Sequence, residues 1–90
     1  MEFIKEEQAF RHYNAAGEMD AEITYIPKGE GVIDANHTFV DPSLRGQGVA
    51  CQLVDKLADF ARDENLKIRA TCPYIVALFE KSTEYDDIKI

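Results

Sequence analysis

Arg45-Gly46-Gln47-Gly48-Val49-Ala50 is the stretch with the clearest chemical meaning in this sequence. It follows an apolar run and opens an amphipathic one, so it belongs at the N-terminus of a helix. A helix N-terminus leaves backbone N–H groups without partners and carries partial positive charge. Gly46 and Gly48 remove the Cβ atoms that would hold a ligand away from those groups. Arg45 adds a fixed cation beside them. Together these features bind an anion, and phosphate is the usual one. Two familiar phosphate loops are excluded. A P-loop needs Lys and then Ser or Thr after its last glycine, whereas Val49 and Ala50 follow Gly48. The dinucleotide fingerprint needs three glycines, and this loop has only Gly46 and Gly48.

Three side chains elsewhere suit proton or nucleophilic chemistry. Cys72 precedes Pro73, which makes it the N-cap of a second helix, where the dipole favours thiolate. It also ends a strand parallel to its neighbour, and open sheets place ligands there. A thiolate attacks carbonyl carbon, and a thiol donates a proton. Its parity with Leu66, Ile68 and Ala70 fits a small buried residue equally well. A histidine can act as general base toward an incoming ammonium, which makes His37 the other candidate. Its parity with Ile33, Ala35 and Phe39 instead fits a core histidine. Tyr74 donates a proton if it faces the site and is otherwise a helix-surface residue. His12 reads as structural or exposed, and Cys51 as packing. His12, His37, Cys51 and Cys72 have no metal-ligand spacing, so no metal is expected.

The loop needs a strand before it, a helix after it and a second strand beside the first. Gln8 to Asn14 alternates loosely and Ala15-Ala16-Gly17 signals a turn. Ala21, Ile23 and Tyr25 then alternate with Glu22, Thr24 and Ile26, which reads as a hairpin. Pro27-Lys28-Gly29-Glu30-Gly31 is a second turn. Val32 to Val40 is a third strand, with Ile33, Ala35, His37 and Phe39 on one face. No helical period appears before Gly46, so this half is an antiparallel meander. Past the loop, Ala50, Leu53, Val54, Leu57, Phe60 and Ala61 recur at threes and fours and form one apolar face. Asn65 fits the helix end. Leu66 to Cys72 alternates as a fourth strand, parallel to the third because such crossovers are right-handed. Pro73 opens a helix that runs to Ser82 and carries Ile75, Leu78 and Phe79 toward the sheet. The acidic tail, Thr83 to Ile90, adds a short strand or packs loosely. The expected fold is α+β, in the order βββαβα, a mixed sheet with helices on its faces.

Ninety residues fit one domain, 1–90. The formal charge is −7 and no basic cluster exists, which argues against nucleic acid. Ile75 to Phe79, the longest apolar run, is far short of a membrane span. Met1 to Gln8 lacks a basic start and apolar segment, so no signal peptide is expected. Two cysteines at unrelated spacing form no disulfide framework, and a reducing cytoplasm is the expected compartment.

The loop resembles the pyrophosphate loop of the GNAT acetyltransferase superfamily, whose core is Arg or Gln, two residues, Gly, one residue, then Gly or Ala. The element order is similar to the central part of that fold over roughly residues 8 to 85. Three pieces resemble its minimal branch, the small N-acetyltransferase-domain proteins: His37-Thr38-Phe39-Val40, Leu44 to Ala50, and Cys72-Pro73-Tyr74. The resemblance implies acetyl-CoA as cosubstrate. Backbone N–H groups from Gly46 through Gln47, Gly48 and Val49 to Ala50 would hold the pyrophosphate beside Arg45. Phe39 and Val40 would pair with the pantetheine arm, where the third and fourth strands splay for the thioester. It implies acetyl transfer to a small primary amine or a lysine amine by direct attack, with Cys72, His37 and Tyr74 as catalytic candidates. The rival expectation is a CoA-binding module without turnover. The sequence departs from the family in lacking the helices that wall the acceptor site and in having its C-terminal strands missing or reduced. Phe79 also stands, in Leu78-Phe79-Glu80-Lys81, where a tyrosine often protonates the leaving thiolate.

Overall fold

A computed structural model describes residues 1–90. Five strands form one sheet: β1 (Ile4–Glu6), β2 (Ala9–Tyr13), β3 (Met19–Gly29), β4 (Val32–Val40) and β5 (Lys67–Ala70), in that spatial order. Helix α1 (Val49–Asp63) joins β4 to β5, and helix α2 (Pro73–Lys81) follows β5. Neighbouring strands are antiparallel except β4 and β5, which are parallel as the crossover requires. The element the sequence pattern did not reveal is β1. Three residues carry no period, and Ile4–Glu6 becomes a strand only by pairing with Ala9–Arg11. Strand β3 also runs through Pro27 to Gly29, longer than the turn signal suggested. The reversal narrows to Gly29, Glu30 and Gly31, all at positive φ.

Helix α1 buries Val49, Leu53, Val54, Leu57, Ala58 and Ala61. Ala50 and Phe60 flank that stripe and stay partly exposed. Its end follows from Asn65, which takes the left-handed conformation (φ 59°) that asparagine tolerates. The Asn65 N–H then bonds to Arg62 O (3.3 Å), and the Leu66 N–H to Ala61 O (2.7 Å). That pair of bonds closes the helix and turns the chain into β5. Helix α2 buries Ile75, Leu78 and Phe79. The tail is anchored: Ile68 N–H bonds to Ile88 O (2.6 Å) and Ile90 N–H to Ile68 O (3.0 Å). Tyr85 and Ile88 are buried in the same cluster as both helices and one face of the sheet.

A bulge in β4 decides which residues share that face. Register passes from Thr24↔His37 to Tyr25↔Ala35, leaving Asn36 unpaired. Before the bulge Ile33 and Ala35 face the core. After it Thr38 and Val40 do, while His37 and Phe39 turn to the other face with Glu22 and Arg11. His37 is therefore not a core histidine, and its side chain is 52% exposed. Strict alternation, without the extra residue, put it on the wrong face. The molecule is only 19 Å thick, the depth of one sheet and one helical layer.

Candidate functional site

Strand β5 pairs with β4 only over Val32–Ala35. The last links are two bonds onto Ala35 O, from Thr71 N–H (3.1 Å) and Cys72 N–H (3.2 Å). Pro73 then starts α2 without an N–H to continue the ladder, so the strands part. Along the far half of β4 the backbone groups alternate. Asp41 N–H bonds to Asp20 O (2.8 Å), and the antiparallel rule then directs Phe39 and His37 toward β3. Thr38 and Val40 direct theirs into the gap left by β5. Of the two residues expected to pair with an extended ligand, Val40 thus faces the gap, while Phe39 pairs with Glu22 on the β3 side.

The glycine loop lies at the same end of the sheet. Gly46 (φ 83°) and Gly48 (φ 72°) are both left-handed, and Gly48 is the N-cap of α1. The glycines thus precede the first helical turn rather than lying within it. A Cβ built on either would meet nothing within 4 Å, so packing does not demand glycine there. The backbone conformation does, and it leaves open space in front of the loop. None of the backbone N–H groups from Gly46 to Cys51 finds an acceptor in the protein, and no acidic residue lies in the first turn of α1 to compete for them. The nearby Asp41 is already engaged. Its carboxylate accepts from Ser43 Oγ (2.6 Å) and Ser43 N–H (3.0 Å), and these bonds hold its pKa below the usual range. Arg45 is exposed, with Nε 3.4 Å from Val40 O. Gln47 is exposed too and donates to Ser43 O (3.4 Å).

A cleft of about 480 Å³ joins the loop to the parted strands. Arg45, Gly46, Gly48, Val49 and Ala50 form one side, Thr38 and Val40 the floor, and Cys51 and Tyr74 the far wall. Cys72 lies behind the floor, 8% exposed, its Sγ 3.4 Å from Thr38 Oγ1. Burial pushes the thiol up, but the Thr38 hydroxyl and the N–H groups of Ile75, Tyr74 and Thr38 outweigh it, and the net shift is downward. The α2 N–H groups act as dipoles, since none closes a full capping bond to the sulfur. Tyr74, 41% exposed, moves the other way: burial, then the neighbouring Cys51 and Asp55, raise its phenol. His37 lines no part of the cleft, and its Nε2 lies 3.3 Å from Glu22 Oε2 on the opposite face. His12 Nδ1 lies 2.6 Å from the buried Asp20, in keeping with a structural role. Phe79 stacks on Tyr85 (5.1 Å) and has no hydroxyl to offer. Thr38 was not singled out by residue type, and Cys51 was read as packing. Thr38 was hidden because the unseen bulge reversed its face.

Over residues 9–88 the chain matches the model of the family described as GCN5-related N-acetyl-transferase. The chain belongs to that family. Among curated relatives, Protein NATD1 of Homo sapiens is 38% identical over 55 residues, 61% of this chain and 49% of that protein. The NATD1 proteins of Gallus gallus and Mus musculus match to the same extent, so the chain spans about half the length of the curated relatives it matches. A GCN5-like protein of Staphylococcus aureus, solved in solution by NMR, is 34% identical with a TM-score of 0.83, covering 99% of this chain and 87% of that one. A nourseothricin acetyltransferase crystal structure shares the fold, with a TM-score of 0.61 at 22% identity over 80% of this chain and 46% of that one. The ββββαβα arrangement is thus a minimal α+β version of the GCN5-related fold.

Proposed function

We propose that residues 1–90 form one acetyltransferase domain that moves an acetyl group from acetyl-CoA to a primary amine by direct attack. The observation that carries this reading is the unbroken run of free N–H groups from Gly46 to Cys51, opening on a cleft that ends at parted strands. The run suits a pyrophosphate, and Arg45 adds the matching charge. Thr38 and Val40 aim backbone groups into the gap, where an amide-bearing arm pairs with them and takes over Val40 O from Arg45 Nε. Bound acetyl-CoA supplies an activated acyl thioester. His37 takes the proton of the incoming ammonium, its ring steadied by Glu22. Cys72, held below its ordinary value, is the better of the two proton donors toward the leaving thiolate, because the phenol of Tyr74 is raised. Two free cysteines suit a reducing compartment such as the cytoplasm, and no helix is long and apolar enough to cross a membrane.

The rival reading, a CoA-binding module without turnover, has one observation in its favour: Phe79 is buried where a tyrosine would donate a proton. Release of free CoA in the presence of spermidine or a lysine peptide separates the two. Amine-dependent release is the expected result; binding of acetyl-CoA with no release in any amine favours the module.

Cys72 gives a sharper test. Its alkylation by iodoacetamide should have a pH midpoint below the unperturbed thiol value, because only the thiolate reacts. Thr38→Val removes a hydroxyl partner, so its midpoint should move up toward that value. The assignment fails if the midpoint is ordinary and Thr38→Val leaves it unmoved. Direct attack also predicts no acetyl group on Cys72 by mass spectrometry after mixing with acetyl-CoA alone. An adduct that disappears on adding amine would replace direct attack with a two-step route through the thiol.

A further inference from the structure

Asp34 is a carboxylate in an unusual position. It lies on β4, on the face away from both helices, and is 8% exposed. Its one side-chain partner is Thr71, whose Oγ1 donates to Oδ1 at 2.6 Å. None of the protein's ion pairs includes it. Arg69 lies opposite in the parallel register yet forms no ion pair with it. A carboxylate withdrawn from water is costly unless a cation completes it, and here no side chain does.

Its place in the fold indicates which cation that is. Strands β4 and β5 make their last bonds at Ala35 O, and Asp34 and Thr71 each lie one residue before the point of parting. Thr38 and Cys72 meet just beyond it on the helix-covered face. The gap therefore has Thr38 and Cys72 on one side and Asp34 and Thr71 on the other. The Asn36 bulge brings His37 onto the same face as Asp34, with Ala35 turned to the core and Asn36, held by Thr24 Oγ1 (2.7 Å), between them. Glu22 adds a second carboxylate there, already shared between Arg11 (2.7 Å) and His37 (3.3 Å).

We infer that Asp34 is the anchor for the acceptor's ammonium group, which enters from the sheet face that no helix covers. The inference rests on the acetyl-transfer reading and deepens it. The acceptor is an alkyl ammonium, carried by a polyamine or by a lysine side chain, that approaches opposite to CoA. Thr71 positions Asp34, and His37, next along the face, receives the proton once the ammonium is docked. A neutral nucleophile such as hydroxylamine does not need the anchor.

The test uses the full chain with acetyl-CoA and three acceptors: spermidine, a lysine peptide and hydroxylamine. Asp34→Asn should raise KM for the two cationic acceptors roughly tenfold or more, leave acetyl-CoA affinity unchanged, and leave hydroxylamine acetylation near wild type. Retained acetyl-CoA affinity reports that the variant is folded. Thr71→Val should show the same selectivity to a smaller degree. Spermidine is preferred if its KM rises and that of the peptide does not, and a lysine side chain in the converse case; either supports the anchor. Equal losses for charged and neutral acceptors, or unchanged KM for both cations, overturn it. In parallel, spermidine titrated into the CoA-saturated protein should shift the NMR signals of Asp34, His37 and Thr71. Shifts confined to the acidic surface of α1 overturn the inference without reference to turnover. A wild type that shows the NMR shifts but transfers nothing overturns the acetyl-transfer reading while leaving the ammonium site standing.

Discussion

Replacing Gly48 by asparagine should cost acetyl-CoA roughly 100-fold in affinity while leaving the fold intact. Gly48 has φ 72° and caps α1. Asparagine tolerates that backbone conformation better than other residues with a side chain, so helix α1 should form as before. Its side chain would, however, fill the open space in front of the loop, where a Cβ meets nothing within 4 Å. A phosphate held off by one side chain loses at least two charge-assisted N–H bonds, each worth about 1.5 kcal/mol or more. Together that is about 3 kcal/mol, or roughly two orders of magnitude in Kd. Gly48→Val combines the same obstruction with backbone strain of about 1–2 kcal/mol or more, so it should also lower Tm. Arg45→Ala tests the charge alone and should weaken binding less, with a shallower salt dependence. Titration calorimetry on the variants, beside thermal melts, separates blocking from unfolding. Wild-type affinity in Gly48→Asn would mean that the loop does not hold the pyrophosphate.

The second large effect is expected far from that loop, at the acidic tail. Tyr85 is 2% exposed, its ring packs 5.1 Å from Phe79, and its hydroxyl donates to Asp55 Oδ1 (2.5 Å). Burial and then the Asp55 bond push its phenol up, which favours the protonated donor. Removing a buried aromatic leaves a cavity that costs about 3–5 kcal/mol. A domain of this size has only about 5–15 kcal/mol in total, so Tyr85→Ala should lower Tm by roughly 15 °C or more. Tyr85→Phe keeps the ring and loses the hydroxyl's weak contact with Cys51 Sγ (3.9 Å) and its bond to Asp55, an exposed carboxylate that water can serve instead. Its cost should be about 1 kcal/mol. Circular dichroism melts of the two variants test the ranking. A shift of only a few degrees in Tyr85→Ala would show that the tail packs loosely and that α1 and α2 hold together without it.

These two sites differ in how far residue types alone reveal them. The loop is local: Arg45, Gly46 and Gly48 are neighbours in sequence, and the helix they open has its own period. Backbone conformation and free N–H groups follow from contiguous residues, so the loop proposed to hold the anion is legible without the fold. The α1 stripe, the parallel return through β5 and the role of Pro73 are legible for the same reason. The tail is different. Nothing local marks Tyr85 as a core residue among Glu84, Asp86 and Asp87; it is buried only because α1 and α2 leave an aromatic-sized space between them.

The remaining differences come from a single unpaired residue and from an absent ladder. Asn36 is one bulged position in β4, and the register shift it creates exists only relative to β3. Alternation along one strand cannot detect it. That shift moved His37 from the core face to the open one, which Asp34 shares, and turned Thr38 inward to meet Cys72. The direction in which Phe39, Thr38 and Val40 aim their backbone groups is likewise a property of strand pairing, not of the strand. By itself, then, the sequence determined the glycine loop, the helices and the parallel pair, because each rests on short-range period and turn chemistry. Only the tertiary structure decided which side chains stand on either side of the gap, because that depends on how β4 registers against β3 and where β5 lets go.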